Sequence, residues 1–290
     1  MNYKLKSFIN LGRYNKPLGA LLLAWPCTWG VTIAQPELYS LIFYNILFFF
    51  SAVIMRGAGC AWNDIIDRNI DKKIERTKNR PIASKKLNVY EGLIFIMISS
   101  FLGLLTLVFL PKEAITICLI SVPLIVIYPL TKRITFFPQI WLGITFYIGI
   151  LIGYSTITRD YFSFPILLLY FGAICWTIAY DTIYAIQDYK DDKKNNIKST
   201  ATLMNEFSGF FAALFYLFSS ILFIICFHIS DLGLLPIITA LLIGIWQSYN
   251  AIKINILNHR KAFTIFKIST LSGGILFISI LLDLYILKYS

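Results

Sequence analysis

The chain is a succession of long apolar runs, each near the twenty residues that a helix needs to cross a bilayer. Nine can be marked out, with rough limits 17–35, 40–62, 92–110, 114–131, 138–157, 163–187, 208–229, 233–252 and 266–287. In hydrocarbon every backbone polar group must be bonded within the protein, which leaves helix bundles and closed barrels. A barrel strand would alternate apolar and polar residues over about ten positions, and these runs do not alternate. Composition closes the soluble alternative: 58% of the 290 residues are hydrophobic and 14% are charged, where a soluble surface takes about 25%. Disorder is excluded by the same apolar content. The expectation is one all-α integral membrane domain over residues 1–290, with about nine transmembrane helices.

The net charge is +11. Basic loops that set membrane orientation account for it, and no nucleic-acid partner is needed. With nine spans, 22 of the 26 Lys and Arg residues fall on one side, in the loops around Arg13, Arg76, Arg133, Lys194 and Arg260. The other side receives Lys112, Arg159 and Lys288, and Arg56 lies inside a span. A wrong count would scramble this partition, so the N-terminus is expected in the cytoplasm. The long polar segments 63–91 and 188–207 are on that side too, and the opposite loops are short. The first sixteen residues are polar and basic, unlike a cleavable signal. The five cysteines are far apart and read as small buried hydrophobes, and the two histidines have no metal-ligand spacing.

Seven of the fifteen acidic residues fall in two short stretches. The first runs Asn63-Asp64-Ile65-Ile66-Asp67-Arg68-Asn69-Ile70-Asp71. On a continuous helix Asp64, Asp67 and Asp71 would lie within about 60° of one another. The second runs from Asp181 to Asp192, and Asp181, Asp188 and Asp192 would form a stripe about 40° wide. Aligned carboxylates repel unless a cation sits among them. Mg²⁺ prefers oxygen ligands and takes one or two carboxylates with waters and substrate phosphates. Four spans separate the two stretches, an even number, so both emerge on the cytoplasmic side and can share a ligand. Acids at a membrane edge mark a functional site by default.

Two carboxylate clusters with Mg²⁺ suit a diphosphate, which also needs direct cationic contact. Arg76-Thr77-Lys78-Asn79-Arg80-Pro81 follows the first cluster. Tyr128 to Arg133 closes the fourth run on the same side, and Lys198-Ser199-Thr200 follows the second cluster. Arginine suits bidentate phosphate contact and lysine acts as a point charge, although a topogenic role explains most single basic residues here. Arg56 is costly inside an apolar span and should face Asp64 or an anionic ligand. Gly57 and Gly59 beside it would permit close helix packing.

These residues resemble the intramembrane aromatic prenyltransferases of the UbiA superfamily. The resemblance covers nearly the whole chain. It is carried by Lys16-Pro17-Leu18-Gly19 through Trp25-Pro26, by Arg56-Gly57-Ala58-Gly59 through Asp71 and on to Arg80-Pro81, by Tyr128 and Lys132 in a YxxxK pattern, and by Asp181-Thr182-Ile183-Tyr184-Ala185 through Thr200-Ala201. The second acidic segment is most similar to the branch that prenylates 4-hydroxybenzoate in ubiquinone synthesis. Departures are small: Lys85 stands where many relatives have Gly, and Gln187 where an apolar residue is common.

The resemblance implies nine helices around a central cavity, and attack of an electron-rich ring on an allylic polyprenyl diphosphate. It implies Mg²⁺ held by Asp64, Asp67, Asp71, Asp188 and Asp192. Lys132, Arg80 and Lys198 would add cationic help to the departing diphosphate, and Asn63, Tyr128 and Asp181 would belong to the substrate site. The carboxylate of 4-hydroxybenzoate would go to Arg56 first and Lys16 second, and Asp67 would serve the phenol or the ring proton. An intramembrane cavity would keep water from the allylic cation, and the prenyl tail would leave into the lipid bilayer. Alternatives are another acceptor of the superfamily, a naphthoate or haem, or a transporter of magnesium or a phosphate ester. A transporter would need acids continuing across the membrane, and the outer half offers only Asp283. A bacterial inner membrane is the expected location, since no transit segment rich in Arg and Ser precedes residue 17.

Overall fold

The computed structural model describes residues 3–195 and 197–287, with backbone only for Lys132. Lys288 therefore lies outside the described residues. Among those described there is no β-strand; fourteen α-helices carry the fold. They are α1 Tyr3–Leu11, α2 Leu18–Ile33, α3 Leu38–Ile66, α4 Arg68–Asp71, α5 Val89–Thr106, α6 Lys112–Ile134, α7 Pro138–Tyr147, α8 Gly149–Thr158, α9 Phe164–Ala185, α10 Tyr189–Lys194, α11 Thr200–Met204, α12 Ser208–Ile229, α13 Leu234–Ile252 and α14 His259–Tyr285.

Eight helical stretches among the described residues are long and apolar enough to cross a membrane. The ninth apolar run forms α2, whose 16 residues span about 24 Å at 1.5 Å per residue, short of the roughly 30 Å of hydrocarbon. Large apolar side chains face outward along the bundle; Ile46, Phe50, Phe101 and Leu242 are each about 60% exposed or more. A soluble protein does not display so much apolar surface.

Local chemistry sets the boundaries. Asn88 and Glu91 form a reciprocal capping box that starts α5, and Ser199 and Thr202 do the same for α11. Pro111 precedes α6, and Pro138 opens α7. The expected fifth span is two helices offset at Ile148. Pro123 and Pro129 lie inside α6, and the stretch they bracket is held from outside. Trp141 Nε1 donates to the Leu124 carbonyl at 2.8 Å, and Trp62 Nε1 donates to that of Val126 at 3.0 Å. Neighbouring side chains steady the helix where proline removes its own bonds.

The bundle closes most tightly where α2 crosses α8. A Cβ on Gly30 would run into the Ile150 carbonyl oxygen, and one on Gly153 into the Cys27 carbonyl oxygen. Such backbone approach drives helix association in lipid. The centre is aromatic: Trp29, Tyr147, Trp176 and Phe223 are buried with ring centroids 5.8–6.1 Å apart. A void of about 20 Å³ remains beside them, lined by Trp29, Trp176, Ser219 and Gln247 among others. It is the size of one water. At this depth aromatic rings fill most of the space.

Two ends of the bundle are distinguishable. At one, Arg13 before α2 meets Asp64 at the end of α3, and Arg76 meets Asp188 beyond α9. At the other, Tyr285 donates to the Pro36 carbonyl at 2.6 Å, and Gly233 N–H donates to Asp283 at 2.7 Å. The N-terminal segment and both acidic stretches therefore share one end.

Candidate active site

The site is built on the last two turns of α3. The helix continues past the expected limit of residue 62 to Ile66 and takes Asn63 and Asp64 with it. It breaks at Asp67 (φ −89°, ψ 5°), and Arg68–Asp71 form a separate turn. The three acids are therefore not on one continuous helix face, as the spacing suggested; the break folds them inward. Asp64, Asp67 and Asp71 are 1%, 3% and 4% exposed. Buried carboxylates persist only when they are paired and hydrogen-bonded.

Arginines supply much of that pairing. Arg13 Nη2 lies 2.5 Å from Asp64 Oδ1. Arg80 Nη1 lies 2.8 Å from Asp71 Oδ2 and 3.3 Å from Asp64 Oδ1. Burial pushes the Asp71 carboxyl above the usual carboxylate range, while the Arg80 guanidinium beside it works in the opposite direction. Thr77 Oγ1 bonds the Asp71 carbonyl at 3.0 Å and closes the loop onto the cluster.

The same loop reaches the second acidic stretch. Arg76 grips Asp188 with two bonds, Nε to Oδ1 at 2.7 Å and Nη2 to Oδ2, and its Nη1 donates to the Tyr184 hydroxyl at 3.0 Å. The Glu75 backbone N–H donates to Asp191 Oδ2 at 2.9 Å. A short 3₁₀ segment, Ile186–Asp188, links α9 to α10, so the Asp181–Asp192 stripe is nearly continuous. Asp192 is buried, and Asp181 and Asp188 are half-buried. Two stretches far apart in the chain thus meet through their arginines.

Four polar atoms on α3 are buried with no hydrogen-bond partner among the described residues: Asn45 Oδ1 in its first half, and Arg56 Nε, Asn63 Oδ1 and Asp64 Oδ2 toward the acidic end. Native structures leave few such atoms, and each calls for an explanation such as a ligand or ion. Arg56 does not reach Asp64, which was one of its two expected partners; Arg13 and Arg80 hold that acid. Its guanidinium instead lies over the Phe146 ring at 5.6 Å and packs against Gly19. Gly57 is required because Tyr14 fills the space of its absent Cβ, whereas a Cβ on Gly59 would meet nothing within 4 Å. Gly59 thus plays no part in close packing.

The other expected residues are placed less centrally. Lys16 is exposed, and Tyr128 is half-buried on α6. Lys198 Nζ bonds the Ile134 carbonyl at 3.0 Å, where it caps α6 rather than meeting an acid. The Lys132 side chain lies outside the described ones. Arg13 was not expected at the site, and Arg76 and Tyr184 were expected only as members of the longer segments 76–81 and 181–185. An arginine ahead of a membrane span reads as topogenic, and only the fold brings Arg13 to α3.

Among the described residues no three His, Cys, Asp or Glu side chains form a ready-made metal site. The donor set still suits a hard divalent cation. Carboxylate and amide oxygens lie close in sequence at the end of α3, two of them without a partner among the described residues, and Mg²⁺ needs only one or two carboxylates from protein when a diphosphate supplies the rest.

Known proteins resemble this chain in sequence and in fold. The sequence model of the UbiA prenyltransferase family matches residues 23–279. The mitochondrial 4-hydroxybenzoate polyprenyltransferase of Rattus norvegicus is 43% identical over 203 residues, covering 70% of this chain and 54% of its own length. The chain spans about half the length of the curated relatives it matches first. Among solved structures, an apo UbiA homologue from Aeropyrum pernix K1 superposes with TM-score 0.69 at 21% identity, covering 89% of this chain and 96% of the other. A UbiA homologue from Archaeoglobus fulgidus bound to GPP and Mg²⁺ superposes with TM-score 0.66 at 15% identity, covering 94% and 99%.

Proposed function

This chain belongs to the UbiA prenyltransferase family, and on that premise we propose that it transfers a polyprenyl group from an allylic diphosphate to the ring of 4-hydroxybenzoate, ortho to the hydroxyl, and releases diphosphate. One observation carries the reading. Asn63 Oδ1 and Asp64 Oδ2 are buried and without a partner among the described residues, at the end of the bundle where Arg76 ties the loop after the first acidic stretch to the second. Polar atoms so placed await a ligand that brings both a cation and an anion. The relatives' names supply the acceptor; the resemblance of the second acidic segment supplies the ubiquinone pathway.

Asp64, Asp67, Asp71, Asp188 and Asp192 would hold Mg²⁺, whose chemistry here is to neutralise the diphosphate as it departs. Arg80 and Arg76 stand within reach of the same acids and would share the developing charge, with Lys132 on the end of α6. Arg56, whose buried Nε has no partner among the described residues, would take the carboxylate of 4-hydroxybenzoate, with Lys16 the second choice. Asn63, Tyr128 and Asp181 would orient the substrates. Lys198 is a weaker candidate, since a carbonyl already holds it. The aromatic interior would exclude water from the allylic cation and stabilise it by cation–π contact.

The basic residues crowd the acidic end of the bundle, so that end and the N-terminus would face the cytoplasm, with α2 as a short ninth span. A bacterial inner membrane fits this orientation; the relatives' mitochondrial names keep the corresponding organelle membrane as the alternative.

Membranes from cells expressing the chain, given labelled 4-hydroxybenzoate and a polyprenyl diphosphate with and without Mg²⁺, test the proposal. The expected product is a C-prenylated hydroxybenzoate, formed only with Mg²⁺ and lost in Asp64→Ala and Asp188→Ala proteins that still insert. Turnover with a naphthoate or haem instead would move the acceptor. No turnover with any acceptor would sink the transferase reading.

A further inference from the structure

Arg13 is not in either acidic stretch or in the loop between them, yet it makes the shortest contact to Asp64, 2.5 Å. The chain delivers it deliberately. α1 lies along the acidic end with Ser7 and Leu11 buried and Lys4 and Leu5 exposed. It is pinned by the Lys4–Glu91 pair at 2.9 Å and by Phe8 stacked on Phe95 at 6.0 Å. Arg13 follows in the left-handed region, at φ 56°, a conformation that costs free energy for any residue but glycine. Tyr14 then fills the space beside Gly57. The segment before the first apolar helix is thus a strap that holds one guanidinium on the site.

The charge balance gives that guanidinium its role. Arg80 has Asp71 as well as Asp64, and Arg76 has Asp188. Among the described residues, Asp64 is the one acid paired with Arg13. A cation arriving on Asp64 would share the single carboxylate charge with Arg13 and leave that three-quarters buried guanidinium under-compensated, which is unfavourable. An incoming oxyanion relieves it. We propose that Arg13 is an oxyanion-binding residue of the substrate site, which guards Asp64 when the site is empty and passes to the ligand's oxygens when a divalent cation takes Asp64. The oxyanion is the diphosphate or the acceptor's carboxylate, which share this chemistry. The inference rests on the prenyl-diphosphate reading above. It makes cation and oxyanion binding mutually dependent, because each removes the other's cost.

The test uses the full chain in detergent or nanodiscs, as wild type, Arg13→Gln and Arg13→Lys. Calorimetry measures Mg²⁺ alone, inorganic diphosphate with and without Mg²⁺, and 4-hydroxybenzoate with and without Mg²⁺. In the wild type Mg²⁺ tightens one oxyanion by about ten-fold or more. In Arg13→Gln that tightening collapses while Mg²⁺ alone binds as well or better, and Arg13→Lys restores part of it. Loss confined to diphosphate assigns Arg13 to the leaving group; loss confined to 4-hydroxybenzoate assigns it to the acceptor. Unchanged coupling for both, or weaker Mg²⁺ binding alone, overturns the proposal and leaves Arg13 a structural partner of Asp64. If Arg13→Gln does not fold, Arg13→Lys decides, since it keeps the charge and loses the planar fork. A wild-type protein that binds no diphosphate sinks the functional reading and this inference with it; a wild type that binds it beside an unaltered variant sinks the inference alone.

Discussion

Asp71 shows how one side chain links burial to metal chemistry. Burial holds its carboxyl above the usual range and Arg80 counteracts this. A divalent cation binds the deprotonated form, so Mg²⁺ affinity weakens as pH falls through that raised value. Arg80→Gln removes the favourable charge and pushes the carboxyl higher still. The acidic limb of the Mg²⁺-dependent rate should therefore begin at a higher pH in the variant than in the wild type; an unshifted limb would show that Asp71 does not titrate with metal binding. Residue scale is also where the sequence was least explicit. Asp64 and Asp188 stand out because carboxylates are rare at a membrane edge. Arg13 and Arg76 do not, because basic residues are abundant on that side and only the fold selects two of them. Lys85 is legible after the fact: it sits at φ 60°, where a glycine would be unstrained.

At the scale of elements, apolar runs located the helices well, since the backbone in lipid has no alternative to helix. The details that escaped are those set by tertiary contact. The break at Asp67 and the offset at Ile148 involve no glycine or proline at the residue itself, so no local signal marks them. The glycines are separable only with neighbours in view. Gly153→Ala would force a methyl into the Cys27 carbonyl and part α2 from α8. It should cost about 1–3 kcal/mol or more, as overpacking does, and the protein should melt earlier or fail to accumulate. Gly59→Ala meets open space and gains up to about 1 kcal/mol of helix propensity. Thermal melting of the two variants in the same detergent checks the contrast, and similar melting points would refute this packing.

Over the whole molecule, chemistry is confined to one end. The acids, their arginines and the strap carrying Arg13 gather there. Two buried acids lie in the far half: Asp283, which the sequence singled out, accepts the Gly233 N–H at 2.7 Å, and Glu113 in the first turn of α6 lies 3.8 Å from Lys112. The Gly233 bond accounts for Asp283 without an ion pathway, which weakens the transporter alternative. Asp283→Ala should lose about 1–3 kcal/mol by stranding a buried N–H, and leave turnover per folded molecule unchanged. A selective loss of turnover in a stable Asp283→Ala protein would reopen the pathway. The segregation itself was legible, because the parity of spans between the two acidic stretches and the bias of Lys and Arg both follow from counting. The closure of the two stretches through Arg76 was not, since it depends on how the loop after α4 folds back.

The central claim is that the two acidic stretches form one diphosphate site. The most direct measurement is an experimental structure of the chain with Mn²⁺ in place of Mg²⁺ and a non-reactive prenyl thiodiphosphate, read by anomalous scattering. The account predicts metal density between the Asp64–Asp71 and Asp188–Asp192 stretches, with the diphosphate against Arg76 and Arg80. Metal on one stretch alone, or a diphosphate bound away from both, would contradict it.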